Sequence, residues 1–259
     1  MKMTTIRKVA GTYELAVGYA DSGLSWPEYL EGLAGQEERP SPPGTVPFLP
    51  EERSRAAVYS FGYTHAVVNG AAVEKGRLDF YYKGTGELLR TDGDPLSSPV
   101  PLTGGGIEVE YCAVYCVNKE GDPVYLGFTL ANDFSDAGLR HARRNLANLS
   151  KLQPTSVAAE VVLAEVPPSS EVTASISREG TAVWERRGAL GRREMLYSPR
   201  VLERLLLRRR GLFEAGTVVY LLLGSCISSH KDGTELREGD VITMRDTYTG
   251  LSLGNVFLG

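Results

Sequence analysis

Apolar runs and alternating apolar and polar positions divide this chain into many short strands and few helices. Ile107 to Val117 is rich in β-branched and aromatic residues and contains no proline, the composition of a strand. Asn118-Lys-Glu-Gly-Asp-Pro123 is turn chemistry and Val124 to Leu130 reads as a returning strand, so a hairpin is predicted. Thr217-Val-Val-Tyr-Leu-Leu-Leu223 is short and wholly apolar, which predicts a central buried strand stopping at Gly224-Ser225-Cys226. Further strands are expected at Ala56 to Phe61, Asp79 to Lys83, Val161 to Val166, Glu171 to Ser177, Thr181 to Trp184, Val241 to Arg245 and Leu251 to Leu258. Leu139, Ala142, Leu146 and Leu149 recur at helical spacing behind a Ser135 cap, and Pro154 forbids continuation past Lys151. Ser198-Pro199 starts a second helix, Arg200 to Arg210, closed by Gly211. Strands outnumber helices, so the fold class is α+β and β-rich.

Residues 1 to 38 carry mixed helix and strand signals, and five prolines then fall within eleven residues, from Pro40 to Pro50. Such a run opposes regular structure. The composition shift predicts a small N-terminal domain with its linker over 1–50 and a larger catalytic domain over 51–259.

The hairpin carries the candidate chemistry. Side chains alternate faces along a strand, so Glu108 and Glu110 share one face, with Cα atoms roughly 6.5 Å apart. If Val117 pairs with Val124, Glu108 falls opposite Asp133 and the three carboxylates converge, whereas a slip of one residue sends Asp133 to the other face. Converging carboxylates repel one another unless a cation compensates, and an all-oxygen ligand set suits Mg²⁺ first, with Mn²⁺ or Ca²⁺ possible. The alternative is that the glutamates lie on the solvated face of an amphipathic strand. Against it, the same face continues through Cys112, Val114 and Cys116, which are not surface residues.

Composition narrows the partners. A net charge of -4 and a pI near 5.6 give no footprint for nucleic acid or an anionic membrane. No apolar run reaches transmembrane length, and the start lacks a signal peptide's apolar region. Three cysteines fit no zinc spacing and cannot all pair, which predicts reduced thiols and a cytoplasmic location. An amine at a helix end, as expected for Lys151, is most often a surface group. His141 among arginines and His230 in a polar turn are expected to face solvent.

As an ordered set, the motifs resemble the fumarylacetoacetate hydrolase superfamily. They are Glu-x-Glu at Glu108 and Glu110, Gly127-Phe-Thr-Leu-Ala-Asn-Asp-Phe-Ser135, a lysine, Gly216-Thr-Val218, Gly224-Ser225 and Leu236-x-x-Gly-Asp-Val-Ile242. The match runs from about residue 56 to 258. The resemblance implies a twisted mixed β-roll with a small N-terminal domain, a homodimer, and one Mg²⁺ or similar ion held by Glu108, Glu110 and Asp133. It assigns Lys151 to the active-site lysine, Ser225 to a hydroxyl usually supplied by threonine, and Arg140 to a substrate-contacting position. Phe61-Gly62-Tyr63-Thr64-His65 resembles the segment that carries the water-activating histidine, with Tyr63 against the substrate. Here it is one residue short, with no glutamate before Glu74.

The function implied is a metal-dependent hydrolase or lyase acting on a small 2-oxo or 1,3-dioxo acid through a metal-stabilised enolate, with hydrolytic carbon-carbon cleavage first. The Asn132 to Lys151 segment is similar to the branch of 2-oxo-3-deoxy sugar-acid dehydratases, which keeps dehydration, decarboxylation or tautomerisation as the alternative. A catalytically inactive dimeric binding protein is the reading outside enzymology, motivated by the altered His65 region, Ser225 and Cys226.

Overall fold

The computed structural model describes residues 8–9, 13–33, 45–209 and 211–259. Readings placed on 1–7, on the proline-rich run between 37 and 44, and on Arg210 lie outside the described residues. The rest is a β-rich α+β fold built on two sheets, as the strand count predicts.

The larger sheet runs, in spatial order, Lys8–Val9, Val161–Val162, Pro123–Asn132, Glu108–Val117, Val218–Ser228, Ala56–Gly62 and Asp79–Thr85, with Thr155–Val157 and Leu89–Thr91 attached beside Pro123–Asn132. It is mixed, because Val218–Ser228 runs parallel to Ala56–Gly62 and antiparallel to Glu108–Val117. The smaller sheet orders Thr181–Leu190, Ser170–Arg178, Val241–Asp246 and Ser252–Val256. Glu108–Val117 is therefore central and buried on both sides. Tyr111, Ala113 and Tyr115 join the core shared with Val172, Ile176, Ile242 and Met244 of the second sheet. Cys112, Val114 and Cys116 join a second core closed by Ala16, Ala20, Trp26 and Phe48. A strand covered on both faces reads as an unbroken apolar run, and this one does. All three cysteines are buried and free.

The hairpin forms, with one correction to its register. Val117 faces Pro123 rather than Val124, and Tyr115 faces Tyr125, so the turn end is slipped by one residue from the expected pairing. Beyond Tyr115 the register shifts: Val114 faces Gly127 and Val109 faces Asn132. Leu126 is the extra residue of a β-bulge. Its carbonyl, freed from the ladder, accepts a 2.7 Å hydrogen bond from Trp26 Nε1 of the Trp26–Gly32 helix. The bulge restores the register that sets Asp133 opposite Glu108, and the Asp133 N–H donates to the Glu108 carbonyl at 2.9 Å.

Other boundaries move for local reasons. Thr217 to Leu223 does not stop at Gly224; the strand runs from Val218 to Ser228 through an irregular stretch between Leu222 and Ile227. The single helix expected up to Lys151 is a short helix, Ala137–Ala142, followed by two single 3₁₀ turns. Its cap is Asp136, which accepts from Leu139 N, whereas Ser135 belongs to a two-residue strand. Arg143, at φ -140 and ψ 84, breaks it. Leu149, expected on the apolar stripe, is exposed. The second helix spans Pro199–Leu206 behind Ser198. Among the described residues no helix is long and apolar enough to cross a membrane.

Gly127 follows the bulge under the closing strand, where a Cβ would lie 2.4 Å from the Val162 carbonyl oxygen and 2.8 Å from Val161 Cγ1. Gly127→Ala is expected to lower unfolding free energy by about 2 kcal/mol or more, measured by urea denaturation. An unchanged midpoint would show that this register is not held here.

Candidate active site

The start of one strand and the end of its antiparallel neighbour carry the acidic cluster. Glu108 and Glu110 project from the start of Glu108–Val117, and Asp133 follows directly on Pro123–Asn132. One oxygen from each of the three carboxylates lies within 4.8 Å of the others. The surface alternative for the glutamates fails: Glu110 is 2% exposed and the Glu108 side chain 15%.

Three cationic side chains close on this cluster. Lys151 is not a surface amine; its Nζ lies 2.6 Å from both Glu108 Oε2 and Asp133 Oδ2 and is 2% exposed. Arg140 Nη2 stands 3.4 Å from Glu108 Oε1. The third is Lys83, which sequence reasoning missed. It is wholly buried, 2.5 Å from Asp133 Oδ1, and donates to the carbonyls of Phe134 (3.0 Å) and Lys151 (3.1 Å). Ser60 Oγ adds a 2.9 Å bond to Asp133 Oδ2. Tyr81 walls the site, with Lys151 Nζ 5.5 Å from its ring centroid. The only sequence signal for Lys83 is period two: it shares a strand face with Tyr81 and is the last residue before glycine. Phe80 and Tyr82 on the other face are also aromatic, so nothing in the pattern says which face is inside.

The charges sort by position. Burial alone would raise the Asp133 pKa, but the Lys151 and Lys83 ammonium groups reverse this and hold it below the usual carboxylate range. Burial opposes the charge of Glu108 too, and Lys151 and Arg140 overcome it. Burial lowers the Lys151 pKa, and Asp133 and Glu108 more than restore it, so the amine stays protonated. In Lys83 burial outweighs Asp133 and the pKa falls. Glu110 is different. Burial and the Asp133 charge push its pKa well up, it has no ion pair among the described residues, and its Oε2 accepts 2.6 Å from Gly224 N–H. A Cβ on Gly224, at φ +89, would collide with Thr64, so glycine lets this donor approach.

These residues fit a hard divalent cation. Oxygen ligands on such an ion stand about 3–5 Å apart, one oxygen of each carboxylate here lies within 4.8 Å of the others, and Glu110 is a buried carboxyl with no ion pair among the described residues. Glu108, Glu110 and Asp133 are the residues that would hold it.

His65 is buried and bridges to Met195. Thr64 Oγ1 lies 3.0 Å from His65 Nδ1 and donates to the Leu223 carbonyl at 2.5 Å. The hydroxyl's one proton is thereby used, so Nδ1 carries the ring proton and Nε2 keeps its lone pair. Nε2 has no hydrogen-bond partner among the described residues. Burial lowers the His65 pKa to about 4. Gly224 joins the two regions, touching both Thr64 and Glu110. Ser225 pairs in register with Glu110, but its hydroxyl donates to the Ile227 carbonyl at 2.5 Å. Tyr63 lies at φ 58 and its hydroxyl accepts from Arg77 Nη2 at 3.1 Å. His141 is exposed as expected; His230 is only partly so, its Nδ1 is buried, and the two rings stand 6.0 Å apart.

No family model matches the chain, and no curated protein matches it. Solved structures do. One is a 2-keto-3-deoxy-D-arabinonate dehydratase in its apo form, with a TM-score of 0.69 and 17% identity over 98% of this chain and 90% of that one. Such a dehydratase complexed with magnesium and 2,5-dioxopentanoate gives a TM-score of 0.65 and 19% identity over 92% and 82%. A 5-carboxymethyl-2-hydroxymuconate delta-isomerase from Mycobacterium smegmatis gives 0.58 and 16% over 78% and 76%. At these identities the likeness is one of fold.

Replacing Lys83 with Met is expected to cost about 3–5 kcal/mol of stability, because it leaves part of the Asp133 charge buried without its partner; a loss under about 1 kcal/mol in urea denaturation would refute this. His65 gives a pH signature. Its folded-state pKa of about 4 lies below the ordinary 6.5, so its contribution is complete above pH 6.5 and is lost as pH falls towards 4. The size is about 3 kcal/mol. His65→Gln is expected to flatten the decline of stability over that window, and parallel wild-type and variant curves would contradict the assignment.

Proposed function

We propose that this chain, which has the fold of the fumarylacetoacetate hydrolase superfamily, is a divalent-metal-dependent enzyme acting on a small 2-oxo acid. The observation that carries the reading is the buried trio Glu108, Glu110 and Asp133 with Lys151 and Arg140 set against it. Mg²⁺ is the ion that best suits three carboxylates, and a dehydratase of similar fold is a magnesium complex. When bound, the ion supplies Lewis-acid polarisation of a 2-oxo acid's oxygens.

The protein groups supply the rest. Lys151, kept protonated between Glu108 and Asp133, is a fixed positive charge where a carbonyl oxygen gains electron density. Arg140, partly exposed and held by Glu108, faces the substrate's carboxylate. Lys83 touches no open space; it orients Asp133 and the Lys151 backbone. Sequestration from water strengthens each of these interactions.

Proton transfer decides the reaction. Hydrolytic carbon-carbon cleavage needs a base for water, and His65 Nε2 has the open lone pair but, among the described residues, no carboxylate to raise its basicity. A pKa of about 4 makes it a weak base near neutrality. Elimination of water from a 3-deoxy-2-oxo acid does not need an activated water, and the dehydratase likeness spans nearly the whole chain. We therefore place dehydration first and hydrolysis of an acylpyruvate second.

Incubation with 2-oxo-3-deoxyaldonates and with acylpyruvates, with and without chelator, is expected to show chelator-sensitive loss of water from the former. Glu110→Ala is expected to lose Mg²⁺ binding in calorimetry and at least about a hundredfold in turnover. His65→Ala is expected to retain dehydration. Turnover that ignores the chelator would sink the whole reading; acylpyruvate cleavage abolished by His65→Ala would put hydrolysis first.

A further inference from the structure

The strand Asp79–Thr85 turns one face to the site. Asp79, Tyr81 and Lys83 share that face by period two, while Phe80 and Tyr82 on the other are exposed. Lys83 meets Asp133 at the inner end, and the Tyr81 ring stands beside Lys151, 5.5 Å from Nζ to the ring centroid. Asp79, half-buried, is the outermost of the three. On the neighbouring strand Ala56–Gly62, Ser60 faces Tyr81 in register and donates to Asp133, and Gly62 faces Asp79. A Cβ on Gly62 would lie 3.3 Å from Tyr81 Cε2 and 3.4 Å from Asp79 Cβ, so the glycine leaves these two side chains their place.

The hydrogen bond between Tyr81 and Asp79 has a fixed polarity. Tyr81 is 5% exposed, and its hydroxyl donates to Asp79 Oδ2 at 2.9 Å. Burial, and after it the Asp79 charge, push the Tyr81 pKa up, so the phenol keeps its proton. A phenol has one proton to give, and this one is spent on Asp79, so the Tyr81 oxygen can only accept. Asp79, a carboxylate with no ion pair among the described residues, is likewise an acceptor. Lys151 and Arg140 offer donors at one end of the site, and this strand face offers acceptors beside them.

We infer that Tyr81 is a specificity-determining residue, accepting a hydrogen bond from a hydroxyl on the substrate's carbons beyond the 2-oxo group, and that Asp79 is the positioning residue that turns its proton away. The inference rests on the metal-dependent 2-oxo acid reading and bears on the order of the two reactions within it. A 3-deoxyaldonate carries a hydroxyl where an acylpyruvate carries a keto oxygen, a donor in place of an acceptor. The hydroxyl satisfies the phenol oxygen. A keto oxygen set against it leaves two acceptors facing each other, each having given up its water.

The test is calorimetric binding of oxamates, which imitate a 2-oxo acid but cannot form its enolate, to the Mg²⁺-loaded protein. Oxamate itself reports the near end. N-(2-hydroxyethyl)oxamate, N-propyloxamate and N-acetonyloxamate place a hydroxyl, a methyl and a keto oxygen on the tail. In the wild-type protein the hydroxyl tail is expected to bind about fivefold tighter than the propyl tail, and the keto tail no tighter than propyl. Tyr81→Phe should bring the hydroxyl-to-propyl ratio to about one with oxamate binding unchanged. Asp79→Ala releases the phenol proton towards the tail, so there the keto tail should gain about fivefold over propyl. A residue that served only the fold would not reverse that preference. A hydroxyl-to-propyl ratio near one in the wild-type protein, with oxamate still bound, overturns the proposal and leaves the metal-enzyme reading standing. So does a ratio that survives Tyr81→Phe, or a keto tail that gains nothing in Asp79→Ala. Failure of oxamate to bind in the presence of Mg²⁺ removes both.

Discussion

Asp133 is the point at which charge and backbone geometry depend on each other. Its N–H continues the strand ladder to the Glu108 carbonyl, one carboxylate oxygen meets Lys83, and the other receives Lys151 and Ser60. Four segments of chain, around residues 60, 83, 108 and 151, are thus tied to one buried anion. An ionised carboxylate without partners would cost several kcal/mol at this depth. With them it fixes where Lys151 stands, and the position of Lys151 relative to Glu108 is what makes the site more than an acidic cleft.

That dependence explains why the hairpin tolerates an irregular pairing. At its turn end the register is one residue short of what the site requires, and the bulge at Leu126 makes up the difference. The residue left over cannot complete the ladder, so Trp26 of the Trp26–Gly32 helix satisfies its carbonyl. A covering helix, a bulge and a glycine that admits the neighbouring strand therefore cooperate to place a single aspartate. The strands of the site are rigid for the same reason: Glu108–Val117 is packed on both faces, and changes in the two cores reach the carboxylates through it.

The electrostatic asymmetry of the trio matters more than its net charge. Glu108 and Asp133 have protein cations against them and stay ionised, while Glu110 has only a backbone donor. Two of the three carboxylates are paired with protein cations, and the third, Glu110, has no ion pair among the described residues, so a bound divalent ion would favour its ionised form.

The sequence by itself determined the alternation that makes the strands, the shared face of Glu108 and Glu110, and the apolar continuation of that face through Cys112 and Cys116. Those follow from periodicity two, which any single strand obeys. It also held the ordered motifs from Glu108 to Ile242 by which the fold was legible as a resemblance. The tertiary structure alone decided the bulge, because register depends on what packs over a strand; the burial of Lys151, because a broken helix turned its end inward; and the role of Lys83. It decided, too, that His65 is enclosed and neutral. These are contacts between segments far apart in the chain, and burial, which sets their charges, exists only once the segments have met.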